Sequence, residues 1–251
     1  MSEEVALFVT CLVENMRPKI GFDTITLLED AGLTVVVPAN QVCCGQPNYN
    51  GGDKPGAIAT AKFVIDRFLP YCKTVVPSGS CAGMLKHHYP QLLADDPEYG
   101  DKAKQFAARV YEVSELLIQV GYQAPEVPAQ QLTYHDGCAG LRELGIHVGP
   151  RSLLEQAGAT VLELEDSQSC CGFGGTFCVK YPDVSEAMLD RKLADLEGVG
   201  VTQIVMGDLG CLLNIEGGLA RQNKGVEAKH FVEVLAEGLA AKSAKEKHSG
   251  R

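Results

Sequence analysis

The sequence has no apolar run long enough to cross a membrane. A spanning helix needs about 18–20 consecutive apolar residues, and the best stretches here resemble Leu33–Ala39. Positive charge is also scarce. Lys and Arg number 22 against 32 Asp and Glu, a formal net charge of −10, which argues against nucleic acid as a main partner because phosphates ask for a basic face. The N-terminus opens with Glu3 and Glu4 where a secretory leader would be basic, so a cytoplasmic protein is expected. No Cys-x-x-Cys pair marks an ordinary structural zinc site. The run Gly172-Phe173-Gly174-Gly175 lacks the Gly-Lys-Ser/Thr ending of a phosphate loop, and no G-x-G-x-x-G spacing fits it. No Ser/His/Asp nucleophile motif is evident either.

What is present is a cysteine pattern that occurs twice. Cys11, Cys43-Cys44-Gly45 and Cys81 are answered by Cys138, Cys170-Cys171-Gly172 and Cys211. The offset is 127 positions for Cys11/Cys138 and Cys43/Cys170, drifting to 130 for Cys81/Cys211. Eight of the ten cysteines fall on this register, so the chain reads as a duplicated, domain-sized unit and not as a solenoid. Without export, thiols stay reduced, and metal or redox chemistry is a better use for them than disulfides.

Strand and helix alternate in both halves. Val5–Val9, Leu33–Val37 and Thr74–Val76 read as strands, with helices over about 18–31 and 54–69, where Ile58, Ala61, Val64, Ile65, Phe68 and Leu69 mark one helix face. In the second half Leu132–His135, Thr160–Leu164 and Thr202–Met206 read as strands, with helices over 147–157 and 182–196 and another from Cys211. The expected fold is α/β: two pseudo-symmetric repeats, each a small, mostly parallel sheet flanked by helices. Residues 1–125 form the first repeat, 126–240 the second, and 241–251 a frayed basic tail with Lys242, Lys245, Lys247 and Arg251. A helix over 113–120 and a loop with Pro125 and Pro128 bridge the halves. Each cysteine group follows the carboxyl end of a strand, where open α/β sheets gather their ligands. That placement predicts two separate four-thiol sites, one per half.

Four thiols per site suit an iron–sulfur cluster, each cubane iron taking one cysteine, and two [4Fe-4S] clusters are the leading expectation. The alternatives are a zinc-binding or thiol redox-sensing regulatory protein, or buried thiols without metal. Adjacent cysteines favour a polynuclear centre, because their side chains reach two atoms of a cluster more readily than one ion. Cys72 and Cys178 break the repeat and read as small buried hydrophobes. His87, His88, His147 and His248 have no special spacing and read as surface or packing residues. His135, three residues before Cys138, and His230, after a strand, are candidates to hydrogen-bond a cluster or relay a proton, with a structural role the default.

This double pattern resembles the cysteine-rich CCG-domain family, which includes the cysteine-rich subunit of heterodisulfide reductase and the iron–sulfur subunit of glycolate oxidase. The stretches that carry the resemblance are 8–13, 43–47, 77–81, 170–177 and 210–214, and the finer wording is nearest to the lactate-utilization members. The resemblance implies an iron–sulfur electron-transfer subunit that works with two partner proteins to oxidise L-lactate to pyruvate without NAD, or serves another 2-hydroxy acid such as glycolate. It carries the cluster-ligand role to Cys11, Cys43, Cys44 and Cys81, and to Cys138, Cys170, Cys171 and Cys211. The heterodisulfide reductase member has a further cysteine three residues past the last one. Met84 and Asn214 hold those places here, which puts a five-cysteine cluster in doubt.

Overall fold

The computed structural model describes residues 3–249, with side chains as far as Ala244. The first half runs β1 (Glu4–Leu7), α1 (Cys11–Met16), α2 (Lys19–Asp30), β2 (Thr34–Val36), α3 (Gln46–Gly51), α4 (Lys54–Phe68), β3 (Thr74–Val76) and α5 (Gly79–Gly83). A π-helical turn over Met84–His88 leads into α6 (Tyr89–Leu92), followed by α7 (Gly100–Ala107), β4 (Val110–Glu112) and α8 (Val113–Gln119). The second half runs β5 (Gln131–His135), α9 (Cys138–Leu144), α10 (Val148–Gln156), β6 (Thr160–Val161), α11 (Thr176–Lys180) and α12 (Pro182–Val199). It ends with β7 (Gln203–Met206), α13 (Leu209–Arg221), β8 (Glu227–His230) and α14 (Phe231–Ser249).

Each half holds a four-stranded parallel sheet, ordered β2-β1-β3-β4 and β6-β5-β7-β8. The direction of connection reverses between β1 and β3, and again between β5 and β7. At such a switch point the loops diverge and leave a crevice at the strand carboxyl ends. β1 and the residue after it bury both faces: Val5 and Leu7 join one apolar cluster, Ala6 and Phe8 another.

The first of these clusters is continuous through both halves, from Val5 and Leu27 to Ile204 and Leu235. Contacts between the halves come in matched pairs: α2 on α14 is repeated as α10 on α8, and α5 on α9 as α13 on α1. α3 meets its own counterpart, α11. A pseudo-twofold axis therefore passes beside α3 and α11. None of the described helices is long and apolar enough to cross a membrane.

α14 continues to Ser249, into the stretch expected to be a basic tail, because Ala240, Ala241, Lys242 and Ala244 are good helix formers that extend a helix already anchored by its packed first turns. The side chains of Lys245, Lys247 and His248, and the whole of Arg251, lie outside the described part.

Three buried polar devices hold the sheet ends. Glu112 closes β4 and caps α8: its carboxylate accepts from Ser114 N at 2.8 Å, while Glu115 accepts from Glu112 N at 3.0 Å. At the matching place His230 closes β8; its Nδ1 accepts from Val232 N at 3.4 Å, and Glu233 accepts from His230 N at 2.9 Å. His230 is thus a helix cap. Behind β5, the Arg151 guanidinium grips Asp136 with both nitrogens, at 2.7 and 2.9 Å, and Glu163 at 2.6 and 2.9 Å. The Asp136 side chain is 0% exposed, so Arg151→Leu leaves a buried carboxylate with only the half-exposed His147 imidazole beside it. The variant is expected to lose about 3–5 kcal/mol of stability, read as a lower urea midpoint.

Burial raises the Glu112 carboxyl from its ordinary 4.5 to about 7. Between those values the folded state binds the proton and the unfolded chain does not, so stability falls as pH rises through this window. Glu112→Gln keeps an acceptor for Ser114 and removes the titration. Between pH 5 and pH 8 the stability difference is expected to move in the variant's favour by about 3 kcal/mol, measured by urea unfolding at both pH values.

Candidate metal centres

The cysteine loops converge as the sheet order requires. Cys11 opens α1 after β1, Cys43 and Cys44 lie in the loop after β2, and Cys81 sits in α5 after β3. Gln41 pins the middle loop to the sheet: its Oε1 accepts from Val9 N and its Nε2 donates to Leu7 O, both at 2.9 Å. Thr10, just before Cys11, is a non-glycine residue at φ +70°, a conformation that costs about 1–3 kcal/mol and persists only where its surroundings enforce it. The glycine of each Cys-Cys-Gly is equally constrained. Gly45 has φ +80° and Gly172 φ +88°, and a Cβ on Gly172 would meet Ser185 O at 2.4 Å.

In the first repeat Cys11 Sγ and Cys43 Sγ are 3.5 Å apart, and Cys44 Sγ and Cys81 Sγ 3.4 Å. Cys44 and Cys81 are buried, Cys11 and Cys43 half-buried. Hydrogen bonds from the Cys11 and Cys44 thiols, with the amides of Gly45 and Cys44, hold the Cys43 thiol well below the ordinary range. The second repeat reproduces this arrangement. Cys170 is lowered by the Cys138 and Cys171 thiols and by the Gly172 amide at 3.4 Å, and Cys171 also bonds Cys211. In each set the thiols that donate are pushed up, Cys11 by its bond to Cys43 and then by burial, and Cys138 by its bond to Cys170 and then by burial. All eight repeat-register cysteines thus fall into two sets of four.

A cavity opens at each set. One of about 260 Å³ is lined by Cys11, Cys43, Cys44 and Cys81, and one of about 250 Å³ by Cys138, Cys170, Cys171 and Cys211. Gln46, Asn50, Ser80, Phe173, Gly175 and Asp208 line both. Asp208 ties this shared wall together: Oδ2 accepts from Ser78 Oγ at 3.1 Å and Ser80 N at 2.8 Å, and Oδ1 from Gly210 N at 3.0 Å. Phe173 packs against Gly210, where a Cβ would stand 2.5 Å from the ring. Sequence reading missed Asp208 as a wall residue, because its partners Ser78 and Ser80 belong to the other half.

The donor set is soft sulfur at the edge of a cavity, which fits an iron–sulfur cluster. A single zinc ion with 2.3 Å bonds keeps its thiolates within about 4.6 Å of one another. Among the described residues the trio whose ligand atoms all lie within 4.8 Å is His135, Cys171 and Cys211; the four thiols of the first repeat form no such group. Met84 is buried in the core, and Asn214 Nδ2 donates to Cys171 O at 2.8 Å, so neither place supplies a fifth thiolate.

The cysteines outside the repeat stay outside the sites. Cys72 is exposed, which corrects the expectation of a buried hydrophobe: it lies in the turn before β3, where no element covers it. Cys178 is half-buried, with Sγ bonded to Gly175 O at 3.1 Å. His87 is exposed. His88 pairs with Glu143 at 3.1 Å and lines the second cavity, and His147 bonds Asp136 at 3.1 Å.

The cysteine-rich domain model CCG matches residues 5–86 and again 132–216. Lactate utilization protein A of Shouchella clausii (strain KSM-K16) is 42% identical over 92% of this chain and 98% of its own length. Lactate utilization protein A 2 of Bacillus cereus (strain Q1) is 39% identical over 94% and 99%. Among solved structures, a hypothetical protein from Helicobacter pylori superposes with a TM-score of 0.62 at 12% identity, covering 94% of this chain and 49% of that one, a likeness of fold. With the family pattern present in both halves and relatives matched almost end to end, the chain belongs to the CCG cysteine-rich domain family.

Proposed function

We propose that this chain is an iron–sulfur electron-transfer subunit of a cytoplasmic complex that oxidises L-lactate to pyruvate independently of NAD. The observation that carries the reading is the pair of four-thiol sets, each at its own cavity and separated by one shared wall. Cys11, Cys43, Cys44 and Cys81 would hold one [4Fe-4S] cluster, and Cys138, Cys170, Cys171 and Cys211 the other. Such clusters take up and release single electrons. The protein's part is to seat the thiolates, aim the Gly45 and Gly172 amides at sulfur, and keep bulk water from the buried Cys44, Cys81, Cys171 and Cys211.

The cavity walls bear on where the substrate goes. Among the described residues they include Asp208 and Glu143 and no Lys or Arg, a poor setting for a carboxylate beside anionic clusters. The 2-hydroxy acid, lactate or a relative such as glycolate, is therefore assigned to a partner, and the two further subunits of a lactate-utilization system are the natural holders. This chain would receive the electrons. The His135, Cys171 and Cys211 trio supports one second reading, a zinc ion in the second repeat.

Anaerobically reconstituted protein is expected to be brown and to contain iron and acid-labile sulfide in comparable amounts, with EPR signals that appear on adding lactate once the partner proteins are present. Zinc at about one per chain without iron would instead establish the second reading. Because the two sets are separate, Cys44→Ser is expected to remove the first cluster and Cys171→Ser the second, each leaving about half the iron and one EPR signal. Loss of all iron from a folded Cys44→Ser protein would contradict independent sites.

A further inference from the structure

The two sites are alike in their thiols and unlike in what stands behind them. His135 closes β5 and is 0% exposed. Neither ring nitrogen has a hydrogen-bond partner, and the ring reaches to within 4.8 Å of both Cys171 Sγ and Cys211 Sγ. At the cysteine offset of 127, the matching residue of the first repeat is Phe8, also 0% exposed. A second exchange lies on the covering helix. The buried faces of α4 and α12 match as Ala57, Ala61, Val64, Ile65 and Phe68 against Ser185, Leu189, Lys192, Leu193 and Leu196. Lys192 thus takes the place of Val64. It is 0% exposed and donates to Asp166 O, and its charge acts on Cys171, Cys211 and His135.

A buried N–H donor with no partner other than cluster sulfur, and a buried cation, both favour the more negative, reduced form of a cluster. The charges facing Lys192 are Asp195, 3.9 Å away on the same helix, Asp166 and Asp136. They offset part of its charge, with Asp136 itself paired to Arg151, whereas the unpartnered His135 ring has nothing to offset it. Asp208 lines both cavities and so does not discriminate between them. The first site has only Phe8 and Val64 in these positions.

We propose that the second repeat holds the cluster of higher reduction potential, with His135 as hydrogen-bond donor at the Cys171–Cys211 edge and Lys192 as the stabilising charge. This rests on the iron–sulfur reading above. With one cluster held by Cys11, Cys43, Cys44 and Cys81 and the other by Cys138, Cys170, Cys171 and Cys211, an electron from the lactate-oxidising partner would move from the first to the second, the first being reoxidised as the second is reduced by one electron. His135 and Lys192 are positioning residues that set the direction of flow.

The test is a stepwise dithionite titration of the reconstituted full chain, followed by EPR. Two signals are expected in sequence, the first to appear being the one lost in Cys171→Ser. In His135→Phe and in Lys192→Met, iron content is expected to stay as in the wild type. The reduced-to-oxidised ratio of that signal alone is expected to fall about tenfold at fixed poise, which is about 59 mV for one electron. His135→Gln, which keeps an N–H, is expected to recover most of the loss. Labelling the histidines with ¹⁵N in the wild type is expected to alter the nitrogen modulation of the first-reduced signal, a readout that needs no variant to fold. Simultaneous reduction of both sites, or variants that leave both midpoints unmoved, would overturn the proposal while leaving the iron–sulfur reading intact. A wild type that takes up no iron overturns both.

Discussion

The chemistry of this chain depends on one topological constraint, the reversal of strand order between β1 and β3 and its repetition between β5 and β7. A parallel sheet ends in a row of loops, and at a reversal neighbouring loops leave in opposite directions and open a crevice. Three cysteine-bearing segments more than thirty residues apart in sequence meet there because the strands that precede them are neighbours. Local features refine the meeting. Thr10 is held at φ +70°, Gln41 bridges to β1, and Gly45 turns the chain so that Cys43 and Cys44 face different partners. The same loop with an alanine in place of Gly172 would drive a methyl into Ser185 O.

The second level of order is the pseudo-twofold. Neither half is self-contained, since the main apolar cluster draws on β1, α2, α8, β7 and α14 alike. The paired helix contacts fix how the two crevices face each other, and α3 and α11 meet on the axis. Where the halves touch near the thiols, the link is polar: Asp208 satisfies Ser78, Ser80 and Gly210 at once. A buried carboxylate with three donors is well compensated, which is how a charged residue is accommodated between two sulfur-rich sites.

Much of this was legible in the sequence, for a physical reason in each case. The cysteine register is legible because eight thiols recur at a near-constant offset, and strands such as Thr74–Val76 announce themselves by β-branched, apolar runs bounded by turns. β4 was not legible: Val110-Tyr111-Glu112 is three residues long and ends in a carboxylate whose burial only the α8 cap explains. Cys72 was misplaced because a cysteine's burial depends on what covers its turn, which local sequence does not record. Asp208 looks like an ordinary helix cap until the other half is present. His135 was visible as a histidine near Cys138, but its isolation from every partner, and its exchange for Phe8, emerge only once β5 and β1 are superposed as equivalents.

The shared wall has a further consequence, for how a duplicated unit diverges. Gln46, Phe173, Ser80 and Asp208 each serve two chambers, so a change at any of them is felt by both, and neither copy is free to drift there without the other. Residues on the outer side of each chamber answer to one copy only. The exchanges of Phe8 for His135 and of Val64 for Lys192 lie off the shared wall. Fusion along an axis thus divides each pocket into a face under joint constraint and a face open to specialisation, and the polar members of both exchanges belong to the second repeat.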